Sequence, residues 1–261
     1  MTAARRKNVR IHTPDEIEGI RIATRKAGWV RDTLAAQIRP GLSTYDIDDM
    51  GARLIAETGG TPAFHGYRGF PGRICVSVND EVVHGIGGRD RVVQVGDLVS
   101  VDIGVTYDGF IGDTAVSVFV GAPADIQGAR LLKAATEGLD AGIKAARCGG
   151  RVNDIGRAVE RVVHAHGFSV VHDFVGHGCG CELHEPPEVP NFTTPDRGPK
   201  LRAGMVLAIE PMVNAGTGKV TVDRRDGWTV RTADGSLSAH MEHMILITEN
   251  GTEVLTWQKK Q

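Results

Sequence analysis

A chain of 261 residues with 41% hydrophobic and 24% charged side chains has the composition of a soluble globular protein, with room for one large domain or two small ones. Its formal net charge of −2 argues against a nucleic-acid footprint, and no apolar run reaches the length of a membrane span or forms a signal-peptide core. Without a secretory signal, Cys75, Cys148, Cys179 and Cys181 read as reduced thiols of a cytoplasmic protein.

Residues 1–12 read as a tail whose basic cluster, Ala4 to Lys7, is solvated. Thr13 suits an N-cap, Pro14 the first helical turn, and Glu16 completes a capping box, so a helix is expected over 14–38, stopped by Arg39-Pro40-Gly41. A second helix is expected over 45–58, ending before Gly59-Gly60. The stretch 98–116, "LVSVDIGVTYDGFIGDTAV", alternates apolar and polar residues at period two, and Asp108-Gly109 is the pair a type I′ turn requires. With that turn Tyr107 opposes Phe110, Gly104 opposes Asp113, and Asp102 opposes Ala115. Asp102 and Asp113 then share one face as diagonal neighbours roughly 7–8 Å apart, with no side chain at Gly104 between them. Two carboxylates so close repel unless a proton or a cation lies between them, and the hairpin alone leaves both open.

The second half repeats the first. "RPGLSTYDI" (39–47) corresponds to "RCGGRVNDI" (147–155), and "VGDLVSVD" (95–102) to "AGMVLAIE" (203–210), both at an offset of 108 that pairs Asp102 with Glu210. Two similar α+β halves around a shared site are expected, each contributing an acid at the end of an equivalent strand. Each half also holds one H-G-x-G, "HGIG" at 84–87 and "HGCG" at 177–180, in which glycine lets the backbone turn and keeps the imidazole uncovered. Glu242 stands just ahead of the apolar run 244–247, with only His243 between. Asp102, Asp113, Glu210 and Glu242 in one cavity would carry a charge of −4. Two divalent cations would cancel it, and a carboxylate-rich set with one imidazole, His177, suits manganese, iron or cobalt and can hold zinc. A proton-sharing dyad would need neither the glutamates nor the histidine.

From Thr13 to Trp257 the chain resembles the type I methionine aminopeptidases, on "SVNDEVVHGI", "VDIGVTYDGFIGDTA", "GHGCG…LHE", "AIEPM" and "WTVRTADGSLSAHMEH". The resemblance implies the α+β pita-bread fold, one catalytic domain over 13–261 with halves at about 13–125 and 126–257, around a dinuclear metal centre. It implies removal of N-terminal methionine ahead of a small second residue. By position it puts the metal ligands on Asp102, Asp113, His177, Glu210 and Glu242, with Asp113 and Glu242 bridging. Asp102 would complete one site, and His177 with Glu210 the other. His84 and His184 match substrate-contacting histidines, and Glu210 the general base. The methionine pocket falls on Phe64, Tyr67, Phe70, Cys75, Leu183 and Trp228. The implied partners are nascent polypeptide N-termini at the ribosome, with the enzyme a cytoplasmic monomer without membrane or nucleic-acid contacts.

Phe64 and Phe70 stand where small or hydroxylated residues are common in that family, and Cys179 where an apolar one is. "HGCGCELH" also permits a zinc-finger reading of His177, Cys179, Cys181 and His184, but the spacing is tighter than structural zinc sites use, and four acids would go unexplained. An X-Pro aminopeptidase or prolidase would carry a large N-terminal domain, whereas the first helix here is expected almost at once. A non-catalytic binding relative would have lost ligands, and all five are present. The insertion of type II enzymes finds no room between Glu210 and Glu242, and no N-terminal zinc-binding extension is expected.

Overall fold

The computed structural model describes residues 9–256, so most of the tail expected over 1–12 lies outside the described residues. Helix α1 runs Pro14–Ala35, and its capping box forms as expected: Glu16 N–H donates to Thr13 Oγ1, and Thr13 N–H to Glu16 Oε2 at 2.8 Å. The helix stops three residues short of the expected 38. Gln37 and Ile38 N–H donate three residues back, to the carbonyls of Leu34 and Ala35, tightening the last turn ahead of Pro40, whose ring disfavours helical backbone at Arg39. Helix α2, Thr44–Glu57, sits one residue earlier than expected because Ser43 and Asp46 close their own capping box.

Helix α3 spans Ile126–Ala145, and helix α4 spans Val152–Ala165. The repeat seen in the sequence extends to backbone geometry. Helix α4 lies 108 residues beyond α2 at both ends, and the isolated bridges Ser43–Val92 and Arg151–Lys200 keep the same offset. Gly41 N–H donates to Val93 O at 3.0 Å and Gly149 N–H to Leu201 O at 2.9 Å. Both glycines have φ near +90°, a conformation that only glycine adopts at low cost, so each can turn the chain into its second helix.

Strand Leu98–Tyr107 is the spine of the first half. It pairs along its length with Phe110–Phe119 in the register that Asp108-Gly109 dictated, Gly104 opposite Asp113 and Asp102 opposite Ala115. Its other edge takes Cys75–Val78 and Thr61–Pro62. Val99, Val101 and Ile103 pack with Val30 and Leu34 of α1 and with Ile47 and Ile55 of α2. In the second half a five-stranded sheet has the order Gly251–Val254, His243–Thr248, Val206–Ile209, Gly176–Gly178, Glu185–Val189. Leu207, Ile209 and Ile245 pack against Leu131, Leu139, Ile155 and Val159 of α3 and α4. With the apolar cores on the helix sides of the strands, the acids of both halves are left facing each other.

Candidate metal centre and substrate cavity

Asp102 and Asp113 project from the hairpin on either side of Gly104. A Cβ at Gly104 would stand 2.5 Å from Phe64 Cε1, so the space that this glycine opens is filled by the edge of an aromatic ring. The return strand is fastened to the segment bearing Glu242. Glu242 N–H donates to Ala115 O at 3.0 Å, and Thr114 Oγ1 donates to Glu242 O at 2.8 Å. Arg31 Nη1 in turn donates to Thr114 Oγ1 at 2.7 Å, and Asp113 N–H points at Met244 Sδ at 3.0 Å. Residues 128 positions apart in the chain, Thr114 and Glu242, are thereby locked as neighbours.

From the second half, His177 stands in strand Gly176–Gly178. Its flanking glycines are obligatory, since a Cβ at Gly176 would lie 2.4 Å from Ala208 O and one at Gly178 2.6 Å from Pro186 O. His177 Nδ1 lies 2.9 Å from Gly178 O and must donate to it, which leaves the Nε2 lone pair free. That atom lies 3.3 Å from Glu210 Oε1 and 4.0 Å from Asp113 Oδ2. Glu210 follows the last residue of strand Val206–Ile209, whereas Asp102, its counterpart 108 residues earlier, lies inside the longer strand Leu98–Tyr107 rather than at the strand end expected for it.

Asp113 and Glu242 are buried, while Asp102 and Glu210 open partway to the cavity. Among the described residues, Asp102 Oδ1, Asp113 Oδ1, Glu210 Oε1 and Glu242 Oε1 are sealed from solvent with no hydrogen-bond partner. Burial pushes the Asp102 carboxyl up to about 7. Burial first, then the neighbouring acids, hold Asp113, Glu210 and Glu242 well above the usual carboxylate range; Arg31 opposes this at Glu242. Burial lowers His177 to about 3, so its ring is neutral. Four crowded acids and a neutral imidazole make an expensive place for bare charge and a favourable one for cations. Donor atoms of Asp113, His177 and Glu242 lie within 4.8 Å of one another.

The five residues line one cavity of about 150 Å³ together with Phe64, Tyr67, Phe70, Cys75, Leu183, Trp228, His84 and His184. Phe70 meets Trp228 edge-on with ring centroids 5.2 Å apart. His84 is set by a positive φ of 59°, a strained backbone for a non-glycine residue, and Gly85 after it has Val76 O 2.2 Å from where a Cβ would be. Burial lowers His84 to about 4, and it meets the rings of Phe174 and Trp228 edge-on. His184 stands exposed at the mouth, stacked on Tyr67 and 2.9 Å from its hydroxyl through Nδ1, with its ring centroid 4.2 Å from that of His177. Partial enclosure and then the Arg68 guanidinium lower it to about 4. The zinc-finger arrangement in this loop does not form. Cys179 turns into the core beside Ile20, Val206 and Met244, and Cys181 turns toward His12 and Glu185.

Sequence reasoning missed His240, which is buried with Nε2 3.8 Å from Glu210 Oε2 and lowered by burial to about 3. Its place two residues before Glu242, on the same side of an extended segment, was the available signal. Arg68 on the cavity wall was also missed, as was the Arg31–Thr114 support beneath Glu242.

The model of metallopeptidase family M24 matches residues 18–249. Methionine aminopeptidase 1 of Bacillus subtilis is 46% identical over 244 residues, covering 94% of this chain and 97% of its own. The Clostridium acetobutylicum methionine aminopeptidase is 44% identical, covering 94% of this chain and 98% of its own. The crystal structure of the Thermotoga maritima methionine aminopeptidase superposes with a TM-score of 0.93 at 44% identity, over 96% of this chain and all of that one. The Pyrococcus furiosus prolidase shares the fold at a TM-score of 0.75 and 23% identity, and this chain spans 66% of it. Family metallopeptidases work with divalent metal ions, and the sealed, unpartnered carboxylate oxygens around His177 are a fitting set of donors for such ions. The chain belongs to metallopeptidase family M24, and within it to the methionine aminopeptidases.

Proposed function

We propose that the cavity binds two divalent ions, bridged by Asp113 and Glu242, with Asp102 completing one site and His177 with Glu210 the other. The observation that carries this reading is that each of the four acids keeps one sealed oxygen without a partner, beside a neutral imidazole whose Nε2 lone pair is free. Cobalt, manganese, iron and zinc all suit such a donor set. When bound, the ions polarise a carbonyl and lower the pKa of water at the site.

The chain's own residues supply the rest. Glu210, whose side chain opens partway to the cavity, accepts the proton of the attacking water and passes it to the leaving amine. His184, oriented by the Tyr67 hydroxyl, donates to the carbonyl oxygen as charge develops on it. His84, held against Phe174 and Trp228, contacts the substrate as well. Phe64, Tyr67, Phe70, Cys75, Leu183 and Trp228 receive the methionine side chain in a cleft that is aromatic and concave. The second residue must pass beside the acids, which restricts it to small side chains. The substrates are nascent polypeptide N-termini at the ribosome, and the enzyme works as a cytoplasmic monomer in protein maturation. Among the described residues no helix is long and apolar enough to cross a membrane.

Peptides Met-Ala-Ser, Met-Lys-Ser and Ala-Pro-Ser offered to the metal-loaded enzyme test this reading. Release of methionine from the first alone is the expected result. Release of alanine from the third would support X-Pro specificity instead, and equal cleavage of the first two would refute the small-residue rule.

A further inference from the structure

The loop that carries His177 and His184 meets the segment ahead of α1 at a second cluster of donor atoms, which shares no residue with the cavity lining. His12 is 4% exposed and Glu185 6%. Each is anchored through one atom and leaves the other bare. His12 Nδ1 lies 3.2 Å from Gly204 O and donates to it, which leaves the Nε2 lone pair. Glu185 Oε1 accepts from the backbone N–H groups of Cys181 and Glu182 at 2.8 and 2.9 Å. His12 Nε2 and Glu185 Oε2 face each other at 3.3 Å, and neither completes a hydrogen bond among the described residues. Cys181 supplies a third atom, and one donor from each of the three residues lies within 4.8 Å of the others.

The surroundings close one side of this cluster and leave another open. A Cβ at Gly180 would stand 3.3 Å from His12 Nε2 and 2.5 Å from Ile20 Cδ1, so backbone and core press on the inner side. Cys181 is half-buried and reaches solvent.

We propose that His12, Cys181 and Glu185 form a second metal site, thiolate-containing and selective for a zinc-class divalent cation. An imidazole nitrogen, a thiolate and a carboxylate oxygen are all zinc ligands, and the open side leaves a fourth tetrahedral position to water. The backbone bonds to the far atoms of His12 and Glu185 are the outer support that orients such ligands. On binding, the Cys181 S–H bond breaks, a sulfur–metal bond forms, and the proton goes to solvent; no electron changes hands. The occupied site ties the start of α1 to the loop bearing His177 and His184, and so acts as a clamp rather than as part of the reaction.

Cobalt(II) is the probe, because a thiolate ligand gives a near-ultraviolet sulfur-to-cobalt absorption that the acid-and-imidazole set lacks. Wild-type protein titrated with cobalt is expected to show this band, and zinc should abolish it. Cys181→Ser should lose the band and hold one zinc fewer per chain by elemental analysis, while keeping its peptidase activity. His12→Gln and Glu185→Gln, checked for native circular dichroism, should weaken the band's titration by roughly tenfold or more. Absence of the band in the wild type would overturn the site, leaving His12 and Glu185 as a plain pair. Persistence of the band in Cys181→Ser would overturn it too, by assigning the sulfur to Cys75, Cys148 or Cys179.

Discussion

Replacing Asp102 with Asn should stabilise the protein when metal is withheld and destabilise it when metal is supplied. Burial raises this carboxyl from an ordinary value near 3.8 to about 7. A group whose pKa is raised by folding contributes stability that is fully present below its unfolded value and lost as pH rises through its folded one. The metal-free protein should therefore weaken between about pH 4 and pH 7. At about 1.36 kcal/mol per pKa step the full loss is about 4 kcal/mol. Solvent reaching Asp102 from the cavity trims that to roughly 2–4 kcal/mol, even though its Oδ1 is sealed. Asn keeps the shape and cannot ionise. Urea unfolding of chelated protein should show Asp102→Asn more stable than wild type by this amount at pH 8, with no gain at pH 4. Adding a divalent ion should reverse the order at pH 8, since the wild type then has a carboxylate to offer it. A metal-free variant no more stable than wild type at pH 8 would refute the account of a site held ready by buried charge.

His184→Ala should lower kcat by about 10²–10³-fold while metal content stays at the wild-type level, the signature of a donor to developing charge. Lost metal with unchanged kcat would make His184 a ligand. Gly104→Ala should drive the Phe64 ring from its place, because the new Cβ would stand 2.5 Å from Phe64 Cε1. The expected result is a raised KM for methionyl peptides and a stability cost of about 1–3 kcal/mol, both relieved by Phe64→Leu, and an unchanged KM would count against Phe64 as a pocket wall. Arg31→Met removes the donor to Thr114 and the cation that lowers Glu242, and should weaken metal affinity by about 10–100-fold in equilibrium dialysis. Wild-type affinity would show that the support beneath Glu242 is dispensable.

Local chemistry made the hairpin legible. Asp108-Gly109 permits one turn, the turn sets one register, and that register puts Asp102 and Asp113 on one face. The internal repeat was legible because the turns into α2 and α4 both need glycine at a positive φ, and because the two glycine–strand–acid segments keep the same offset of 108 residues. Helix ends were less so: α1 loses its last turn to the approach of Pro40, a balance of weak bonds that periodicity does not register. His240 escaped because its one local signal, the i+2 spacing to Glu242, does not show that it is buried against Glu210, thirty residues away in the chain. The Arg31–Thr114–Glu242 chain joins three distant segments, so only the folded structure reveals it. The same holds for Cys181, whose neighbours in sequence suggested His177 and His184 as companions, while its neighbours in space are His12 and Glu185.

The central claim is that the cavity acids work by holding metal ions. Its most direct test is the turnover of Met-Ala-Ser as a function of metal added to rigorously chelated enzyme. No methionine release at zero metal, with activity rising to a plateau by two equivalents bound in the cavity and abolished in Asp102→Asn and Glu242→Gln, is the predicted result. Undiminished turnover by the metal-free enzyme would contradict it.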